Sequence, residues 1–449
     1  MDGHTATMVT GNHLTKARQR GVGAALLAAR GRRRGGDVSD WLPAPSSSHK
    51  RPAIVLGRTL NVLGAVRGLA RHGVRPIVVT DSRHDPVLKS KYPIECHVVR
   101  PTTDPALLRL LDRYRNQGLV IIATGNESVA FLCNHAAALE ADFRFILPAR
   151  RVIELFIDKR AETSAMQSLG IALPKTVGQL PPTAQQLAEL IEFPMLIKPR
   201  SDADRGVLKA KNHTIRTSAQ LDAFYEVHGQ HLDRVIAQEI IPGGDDQLWG
   251  CNCVFGHDSR LLQAFTFNRL GTTPPHYGVT SFAVSKPNEE IISHVEKIGR
   301  LINYIGPAMA EFKFDTRDGT YKYLEINPRL GMTNFFDTAC GVNNIAMIYE
   351  LALNGKATRE SIQGIACTGQ EYDVVFIDLF QDVTSRMQDG ERLRSILKMY
   401  GRYLRRRRVG AYWYWRDPLP ALYLMARGVW RRIGGESRAG RSVTEGDQH

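Results

Sequence analysis

Two neighbouring stretches of the chain alternate polar and apolar residues, and this period of two predicts a pair of β-strands. The first stretch is AEFKFD, residues 310–315, and the second is YKYLEIN, residues 321–327. Between them, TRDGT contains Gly319, which suits the left-handed position of a three-residue hairpin loop. The polar side chains that share a face are Glu311, Lys313 and Asp315 in the first strand, and Tyr323, Glu325 and Asn327 in the second.

The predicted hairpin register sets two carboxylates against each other. A loop of Arg317, Asp318 and Gly319 places Glu311 opposite Glu325, with Cβ atoms roughly 4.5–5.5 Å apart. Facing carboxylates repel, and a bound divalent cation would remove this repulsion. Asn327 on the same face adds a third oxygen, and Mg²⁺ prefers such hard oxygen ligands. The alternative is a solvated hairpin face on which the flexible carboxylates spread apart.

Length and composition set the scale of the fold. The 449 residues suffice for two or three domains, and a hydrophobic content of 43% is ordinary for a globular protein. The formal charge of +14 is concentrated towards the two ends. Residues 1–50 are basic and lack a sustained apolar period, which predicts a disordered leader; an organellar transit peptide is an alternative. No apolar run could span a bilayer, and the six cysteines lack metal-binding spacing, so we expect a cytoplasmic protein with reduced thiols.

A strand–helix–strand pattern begins near Arg51. PAIVLG reads as a buried strand, RTLNVLGAVRGLARHG as a helix and VRPIVVTD as a second strand. Such a unit favours a parallel sheet with right-handed crossovers. LVIIATGNES supplies a further strand and places Asn126 and Glu127 at its carboxyl end, where ligands bind to open α/β sheets. The sequence therefore predicts an α/β domain over residues 51–150.

Lysines recur in the middle of the chain, in segments that could surround a polyphosphate. Lys159 follows Asp158 in a long helical pattern that ends at Gly170, and Lys198 ends the apolar strand FPMLIKPR. A polar loop, SDADRG, follows, and then VLKAKN alternates as a strand would, with Lys209 and Lys211 together. Each lysine alone would usually be solvated. Together with the carboxylate hairpin they predict cations and a metal around phosphate oxygens.

The order of these segments resembles the ATP-grasp superfamily of carboxylate–amine ligases. The motifs that carry the resemblance are Lys159, PMLIKP, QEIIPGGDD, AEFKFD and LEINPR, within residues 51–355. IVLGRTLNVLGAVRGLARHG, TGNES and LEINPRLGMTNFF are most similar to D-aspartate ligase-like and other amino-acid ligases. They are more distantly similar to biotin carboxylase and carbamoyl-phosphate synthase halves.

The resemblance implies an α/β fold, with α+β character in the ATP-grasp part. The implied layout is a leader at residues 1–50, a Rossmann-like domain at 51–150, an ATP-grasp domain at 151–360 and a C-terminal accessory segment with a basic tail at 361–449. Within the ATP-grasp domain, the lid would cover about 171–241 and the metal-bearing subdomain about 242–360.

The resemblance also implies a role for individual residues. ATP and Mg²⁺ are the implied cofactors, with Mn²⁺ as an alternative metal. Lys159 and Lys198 match the lysines that contact ATP phosphates, and Arg329 matches the arginine beside the transferred phosphate, so Lys198 and Arg329 are the catalytic candidates. The hinge that reads adenine matches Gln238, Glu239 and Ile241, the ribose-binding position matches Asp245 or Asp246, and the magnesium ligands match Glu311, Glu325 and Asn327.

The acceptor substrate has weaker candidates. Gly331 and Asn334, in the loop after Arg329, are expected to border its pocket, as are Asn126 and Glu127. Arg269 in NRLGTTPPHYGVTS is expected either to bind an anion or to be an exposed loop arginine. The lid loop SDADRG, residues 201–206, departs from the glycine-rich form of many relatives, which leaves its closure over the phosphates open.

The C-terminal segment mixes arginines with aromatic residues. EYDVVFIDLFQDV begins as a strand, and DGERLRSILKMYGRYL has helical spacing. The simplest interpretation is an accessory tail that packs on the core. A weak contact with an anionic membrane is the alternative, because arginines beside tryptophans and apolar residues suit such a surface. Nucleic acid would also suit the charge, but no recognition fold accompanies it.

The favoured activity is ATP-dependent ligation of a small-molecule carboxylate to an amine through an acyl phosphate. An amino acid or a peptide precursor is the expected substrate. One alternative is a regulatory or scaffold protein that binds nucleotide on the same fold, and another is a carboxylase-like enzyme. Intact lysines and metal ligands favour the ligase.

Overall fold

The computed structural model describes residues 50–99, 104–208, 212–355 and 370–433. The predicted leader up to residue 49, the pair Lys209 and Lys211, and the end of the basic tail beyond residue 433 lie outside these residues. Within them, no helix is both long enough and apolar enough to cross a membrane.

The first sheet is parallel and has four strands in the order β3-β2-β1-β4. This confirms the predicted strand–helix–strand pattern. Three of its strands, β1, β2 and β4, are apolar and almost entirely buried, as expected for strands covered on both faces, whereas the edge strand β3 is mostly exposed. The strands are β1 (Ala53–Leu56), β2 (Pro76–Thr80), β3 (Glu95–Val98) and β4 (Val120–Ala123), and the helices are α1 (Thr59–Arg71), α2 (Asp104–Asp112) and α3 (Asn126–Leu139).

The second sheet is a small antiparallel one in the order β5-β8-β6-β7. Its core is an apolar cluster that includes Leu187, Ile197 and Phe224. The strands are β5 (Thr176–Val177), β6 (Met195–Pro199), β7 (His213–Ile215) and β8 (Val235–Glu239), and the helices are α4 (Arg150–Ile157), α5 (Lys159–Ser168), α6 (Ala184–Leu190), α7 (Arg205–Leu208) and α8 (Ser218–His228).

Two predictions for this region were wrong. The long helix expected to end at Gly170 is broken at Asp158, which has an extended backbone and caps α5 through hydrogen bonds from the amides of Arg160 and Ala161. The second wrong prediction is the strand expected from VLKAKN, residues 207–212, because the first two of these residues are helical. Val207 and Leu208 belong to the helical turn α7, and the strand starts at His213.

The third sheet has seven strands in the order β13-β12-β9-β10-β11-β14-β15. All neighbours are antiparallel except β14 and β15. The strands are β9 (Leu248–Phe255), β10 (Leu261–Thr273), β11 (Val279–Ser285), β12 (Gly306–Asp315), β13 (Thr320–Asn327), β14 (Val375–Ile377) and β15 (Arg408–Gly410), and the helices are α9 (Glu289–Leu301), α10 (Asn334–Ala339), α11 (Asn344–Asn354), α12 (Leu379–Gln388), α13 (Leu393–Gly401) and α14 (Leu419–Ile433).

The C-terminal segment packs on the rest of the fold. Strands β14 and β15 extend the third sheet, and a buried ion pair joins the following loop to α1. The Arg67 Nε donates to Asp417 at 3.1 Å, and both side chains are fully buried. Asp417 also accepts hydrogen bonds from Ser90 and from the Lys91 amide. The described part of this segment is therefore an integral element of the fold.

The predicted hairpin forms as β12 and β13, but its loop is one residue longer than expected. Asp315 pairs with Thr320, so residues 316–319 form the loop, and Gly319 has the predicted left-handed φ of +71°. A bulge in β13 then shifts the register, so that Glu311 pairs with Glu325 as predicted.

Candidate nucleotide and metal site

The facing carboxylates lie at the end of the β12–β13 hairpin, where both side chains are half-buried. Glu311 and Glu325 are direct cross-strand partners. Asn327, two residues further along, donates from Nδ2 to Glu325 Oε1 at 3.1 Å. Together they present two carboxylates and one amide oxygen, a hard donor set that fits Mg²⁺. Among the described residues no site groups three or more His, Cys, Asp or Glu side chains, so a metal here would need the amide.

The β13 bulge changes which residues share the polar face. Tyr323 was expected beside Glu325, but it is buried in the core against Phe312. The extra residue is Leu324, which lines the same cavity as Glu325. The alternation of β13 therefore breaks between Tyr323 and Glu325, because a bulge places two residues of one strand against one of its partner.

Arg269 is not the exposed loop arginine that was one of its two expectations. It lies on strand β10, with a side chain that is almost fully buried, so it is not an exposed loop arginine. Its Nη1 is 2.8 Å from Glu311 Oε2, and its Nη2 donates to the Gly278 carbonyl. It therefore pairs with an internal carboxylate, and the charge that balances Glu311 comes from the protein itself as well as from any bound metal.

Arg329 links the hairpin to the first sheet. Its Nε donates to Asn126 Oδ1 at 2.8 Å, and its Nη2 donates to Asn327 Oδ1 at 3.2 Å. Burial lowers the pKa of Arg329, and the nearby carboxylates of Glu325 and Glu311 oppose that shift. An arginine remains protonated in proteins, so a cation lies next to the predicted metal ligands.

Asn126 also contacts the lid loop. Its Nδ2 donates to Asp202 Oδ2 at 3.1 Å, so this one amide joins the loop to Arg329. Its neighbour Glu127, the other candidate at this edge of the sheet, is exposed at the start of α3. The carboxyl end of β4 thus reaches the hairpin site, as expected for an open parallel sheet.

Ion pairs fix the lid loop at residues 200–206. Arg200 binds Asp158 through both carboxylate oxygens, with its Nε at 2.9 Å from each. This hydrogen bonding lowers the pKa of Asp158. Asp204 pairs with Arg234 at 2.8 Å. The loop is therefore held by arginine–carboxylate contacts in place of a glycine-rich backbone.

A cavity beside Glu325 brings together the two predicted phosphate lysines and the predicted hinge. Lys159, at the start of α5, and Lys198, at the end of β6, both line it. The Lys198 ammonium donates to Gln238 Oε1 at 2.7 Å. The complete lining is Lys159, Glu162, Thr163, Leu173, Thr176, Lys198, Ile236, Gln238, Tyr323, Leu324 and Glu325.

The remaining residues predicted for the hinge and the ribose lie at the end of β8 and in the segment after it. The side chain of Glu239 accepts from the Lys175 amide at 2.7 Å and pairs with Arg317 at 3.0 Å, while Ile241 is buried. Asp245 accepts from the Thr272 hydroxyl at 2.7 Å.

Asp246 follows Asp245 in the same loop, and its carbonyl accepts from Asn268 Nδ2 at 2.8 Å. The loop approaches the hairpin through Lys313, whose ammonium donates to the Gly243 carbonyl at 2.8 Å. The loop that carries the two aspartates therefore contacts the β12–β13 hairpin.

Gly331 and Asn334 are both buried, which disagrees with their expected place at the border of the acceptor pocket. Asn334 is completely buried, and its Nδ2 donates to the Asn61 carbonyl of α1 at 3.0 Å. The Gly331 amide donates to Asn252 Oδ1 at 3.2 Å. Both residues hold the turn after Arg329 against the core.

Glu162 is a site residue that the sequence did not reveal. It lies one helical turn after Lys159 and is only 4% exposed. Its carboxylate accepts from the Tyr323 hydroxyl at 2.5 Å and from the Ile326 amide at 3.1 Å. Burial raises its pKa to about 8. A single glutamate in a polar helix gives no local signal of this, because helical glutamates are usually solvated.

Comparison with known proteins finds similarity to a curated sequence and to solved structures. No model of a known protein family matches the chain. The D-aspartate ligase of Enterococcus faecium (strain Aus0004) is 25% identical over an alignment 339 residues long, which covers 69% of this chain and 79% of that protein.

Two solved structures illustrate the likeness of fold. The L-amino acid ligase of Bacillus licheniformis superposes with a TM-score of 0.52 at 14% identity, over 71% of this chain and 77% of that one. The biotin carboxylase domain of the Hydrogenobacter thermophilus 2-oxoglutarate carboxylase, in complex with MgADP, ADP and bicarbonate, gives 0.50 at 16% identity, over 69% of this chain and 71% of that one.

Proposed function

We propose that the chain is an ATP-grasp carboxylate–amine ligase that joins an amino-acid carboxylate to an amine at the expense of ATP, which its similarity to a D-aspartate ligase and the fold it shares with an L-amino acid ligase support. The observation that carries this proposal is the pairing of Glu311 with Glu325 beside a cavity that contains Lys159 and Lys198. Facing carboxylates next to two lysines suit a nucleotide whose phosphates are bound by cations and a metal.

We assign the nucleotide to the cavity between the second and third sheets. Lys159 and Lys198 would contact the phosphates, and Lys198 is already oriented by Gln238. The strand β8 and its continuation to Ile241 would receive the adenine, with Asp245 or Asp246 at the ribose. A charge-assisted hydrogen bond from each lysine would strengthen phosphate binding.

Glu311, Glu325 and Asn327 would hold Mg²⁺, with Mn²⁺ as an alternative. A metal held by these residues would supply positive charge that neutralises the phosphates. The Asn327 amide donates from Nδ2 to Glu325 and accepts at Oδ1 from Arg329, so its side chain would have to rotate to turn the oxygen towards a metal held by Glu325. Arg269 keeps Glu311 in place and balances part of the negative charge.

The proposed reaction has two steps. A substrate carboxylate oxygen attacks the γ-phosphorus, the bond to the bridging oxygen breaks, and ADP leaves, which gives an acyl phosphate. The amine nitrogen then attacks the acyl carbon, phosphate leaves with one of the original carboxylate oxygens, and the nitrogen loses a proton. Arg329 is placed to stabilise the negative charge of the transferred phosphoryl group, since its guanidinium lies beside the metal ligands.

The acid substrate would bind near the contact of Arg329 with Asn126. This edge of the first sheet presents an amide, a guanidinium and the exposed carboxylate of Glu127. A carboxylate could pair with the guanidinium, and the acidic Glu127 could bind an ammonium. An amino acid offers both groups, which is why we propose an amino acid as the substrate class; the curated relative is itself a D-aspartate ligase.

An isotope experiment tests this function. The protein is incubated with Mg-ATP, one amine and individual amino acids whose carboxylate carries ¹⁸O, and both ADP and phosphate are analysed. We expect ADP release that requires both the acid and the amine, with ¹⁸O from the carboxylate in the phosphate. ADP release without ¹⁸O transfer would argue against an acyl phosphate, and release that ignores both substrates would indicate hydrolysis only.

A further inference from the structure

The segment from Arg392 to Arg408 concentrates positive charge on one part of the described surface. It contains seven arginines and one lysine and no aspartate or glutamate. It comprises α13, the turn that follows and the first residue of β15. We call these residues the α13 surface.

The inner side of this segment is anchored. Ile396 is fully buried, and the rings of Tyr400 and Tyr403 pack on Phe282 of β11 with centroids 5.6 Å and 5.2 Å away. The Tyr400 hydroxyl also donates to Asp382 of α12 at 2.5 Å. The helix is therefore fixed on the third sheet, and its outer side presents a defined set of groups.

The outer side combines large apolar side chains with cations. Leu393, Leu397 and Leu404 are 54%, 60% and 61% exposed. Leu393 and Leu397 are four residues apart, so they lie on the same side of α13. Burying these leucines against an apolar phase would be favourable, because each removes a large part of its surface from water.

Most of these cations form no ion pair with a carboxylate among the residues that the structure describes. Arg406 pairs with Asp373 at 2.9 Å, and Arg407 pairs with Glu371. The other six are exposed, and none of them forms an ion pair with a carboxylate in the described parts of the chain: Arg392, Arg394, Lys398, Arg402, Arg405 and Arg408.

We propose that the α13 surface binds an anionic membrane, with the leucines in the headgroup boundary and the cations on lipid phosphates. A bilayer interface offers both an apolar layer and fixed negative charge, which matches both halves of this surface. A nucleic-acid backbone would satisfy the arginines but would leave three exposed leucines without a role. The surface takes no part in the proposed ligation, so either proposal can fail without the other.

Vesicle sedimentation of the full-length protein tests this proposal. One set of vesicles contains phosphatidylcholine alone, and the other contains equal parts of phosphatidylcholine and phosphatidylglycerol. We expect binding to the mixed vesicles only, and weaker binding at high salt. Arg394→Ser/Lys398→Ser/Arg402→Ser should reduce the partition coefficient on the order of fivefold per removed cation. Leu393→Ser/Leu397→Ser/Leu404→Ser should reduce it by a comparable or larger factor.

Control variants show whether binding depends on the α13 surface or on the positive charge of the protein as a whole. Every variant retains the basic leader, so the charge of the leader is the same in all of them. Arg109→Ser/Arg113→Ser/Arg151→Ser removes three exposed arginines elsewhere, and Leu301→Ser removes an exposed leucine of α9. Both should bind mixed vesicles nearly as well as the wild type. An unchanged melting temperature would show that the variants fold.

Three results would overturn the proposal. The first is no binding of the wild type to mixed vesicles, and the second is equal losses in the test and control variants. The third is a loss that follows the cations but not the leucines, together with cation-dependent binding to a DNA duplex, which would assign the surface to nucleic acid.

Discussion

The Tyr323 hydroxyl donates a 2.5 Å hydrogen bond to the carboxylate of Glu162, and both side chains are buried. Glu162 also accepts from the Ile326 amide, so it binds β13 on either side of Glu325. Helix α5, which begins with Lys159, is thereby tied to the strand that carries two of the three predicted metal ligands. The contact couples the predicted phosphate lysine to the predicted metal face.

The first prediction concerns the pH dependence of stability. Burial raises the pKa of Glu162 to about 8, well above the value of an exposed glutamate. The folded protein then holds the proton of Glu162 more tightly than the unfolded chain does. The stability that the protonated Glu162 contributes is therefore complete at low pH and is lost as the pH rises towards about 8. Glu162→Gln removes this titration, and the loss of stability between about pH 5 and about pH 9 should be smaller in the variant than in the wild type.

Urea unfolding of both proteins across this pH range measures the effect. Glu296→Gln, in a partly exposed position on α9, is the matched control and should follow the wild type. Parallel pH profiles for the wild type and Glu162→Gln would show that Glu162 does not titrate in this range.

The second prediction concerns nucleotide affinity. Lys198→Ala should weaken ATP binding by about 1.5–3 kcal/mol, on the order of 10- to 100-fold, because it removes a charged hydrogen-bond donor from the cavity. Calorimetric titration with Mg-ATP measures this change. Lys297→Ala, at an exposed position of α9, should bind ATP like the wild type. Unchanged affinity in Lys198→Ala would remove this lysine from the site.

The third prediction separates a metal ligand from a structural residue. Glu325→Gln keeps the size and one ligating oxygen but loses the negative charge that would neutralise Mg²⁺. We expect ligation to be abolished while stability without metal stays level or rises slightly, because repulsion from Glu311 is relieved. At nucleotide concentrations a hundred times Kd, Mg-ATP should stabilise the wild type by about 2.7 kcal/mol and the variant much less.

Melting curves with and without Mg-ATP are sufficient for this test. A purely structural Glu325 would give the reverse pattern, in which the variant is destabilised without ligand and retains the full shift on addition of Mg-ATP.

The fourth prediction concerns the internal counterion of the site. Arg269→Met removes the cation 2.8 Å from Glu311 and leaves two facing carboxylates. The free energy of unfolding should fall by about 1.5–3 kcal/mol, since Glu311 loses a charged partner in a half-buried position. The double variant Arg269→Met/Glu311→Gln should recover part of this loss, because the unpaired charge is then absent.

Urea unfolding is measured without metal for the wild type, Arg269→Met, Glu311→Gln and the double variant. The four free energies of unfolding give the coupling energy between Arg269 and Glu311. Strictly additive effects would mean that Arg269 and Glu311 do not stabilise each other, despite their distance.

Local pattern was enough to predict the hairpin and its facing carboxylates. Alternation along 310–315 and 321–327 and the glycine in the loop specify which residues pair, because strand side chains alternate with a period of two. The same pattern misplaced Tyr323 and gave a loop one residue too short. A bulge in β13 interrupts the period, and the tertiary contact of Tyr323 with Glu162, which accompanies it, is invisible in the sequence.

The sequence by itself determined the parallel strands around β1, the carboxylate hairpin and the order of lysines that resembles ATP-grasp ligases, because each depends on residues close together in the chain. Only the tertiary structure placed Arg269 against Glu311, Asn126 between Arg329 and the lid loop, and Glu162 under β13. These contacts join residues on separate elements. They depend on how the sheets pack, and the burial that makes them strong is a property of the assembled fold.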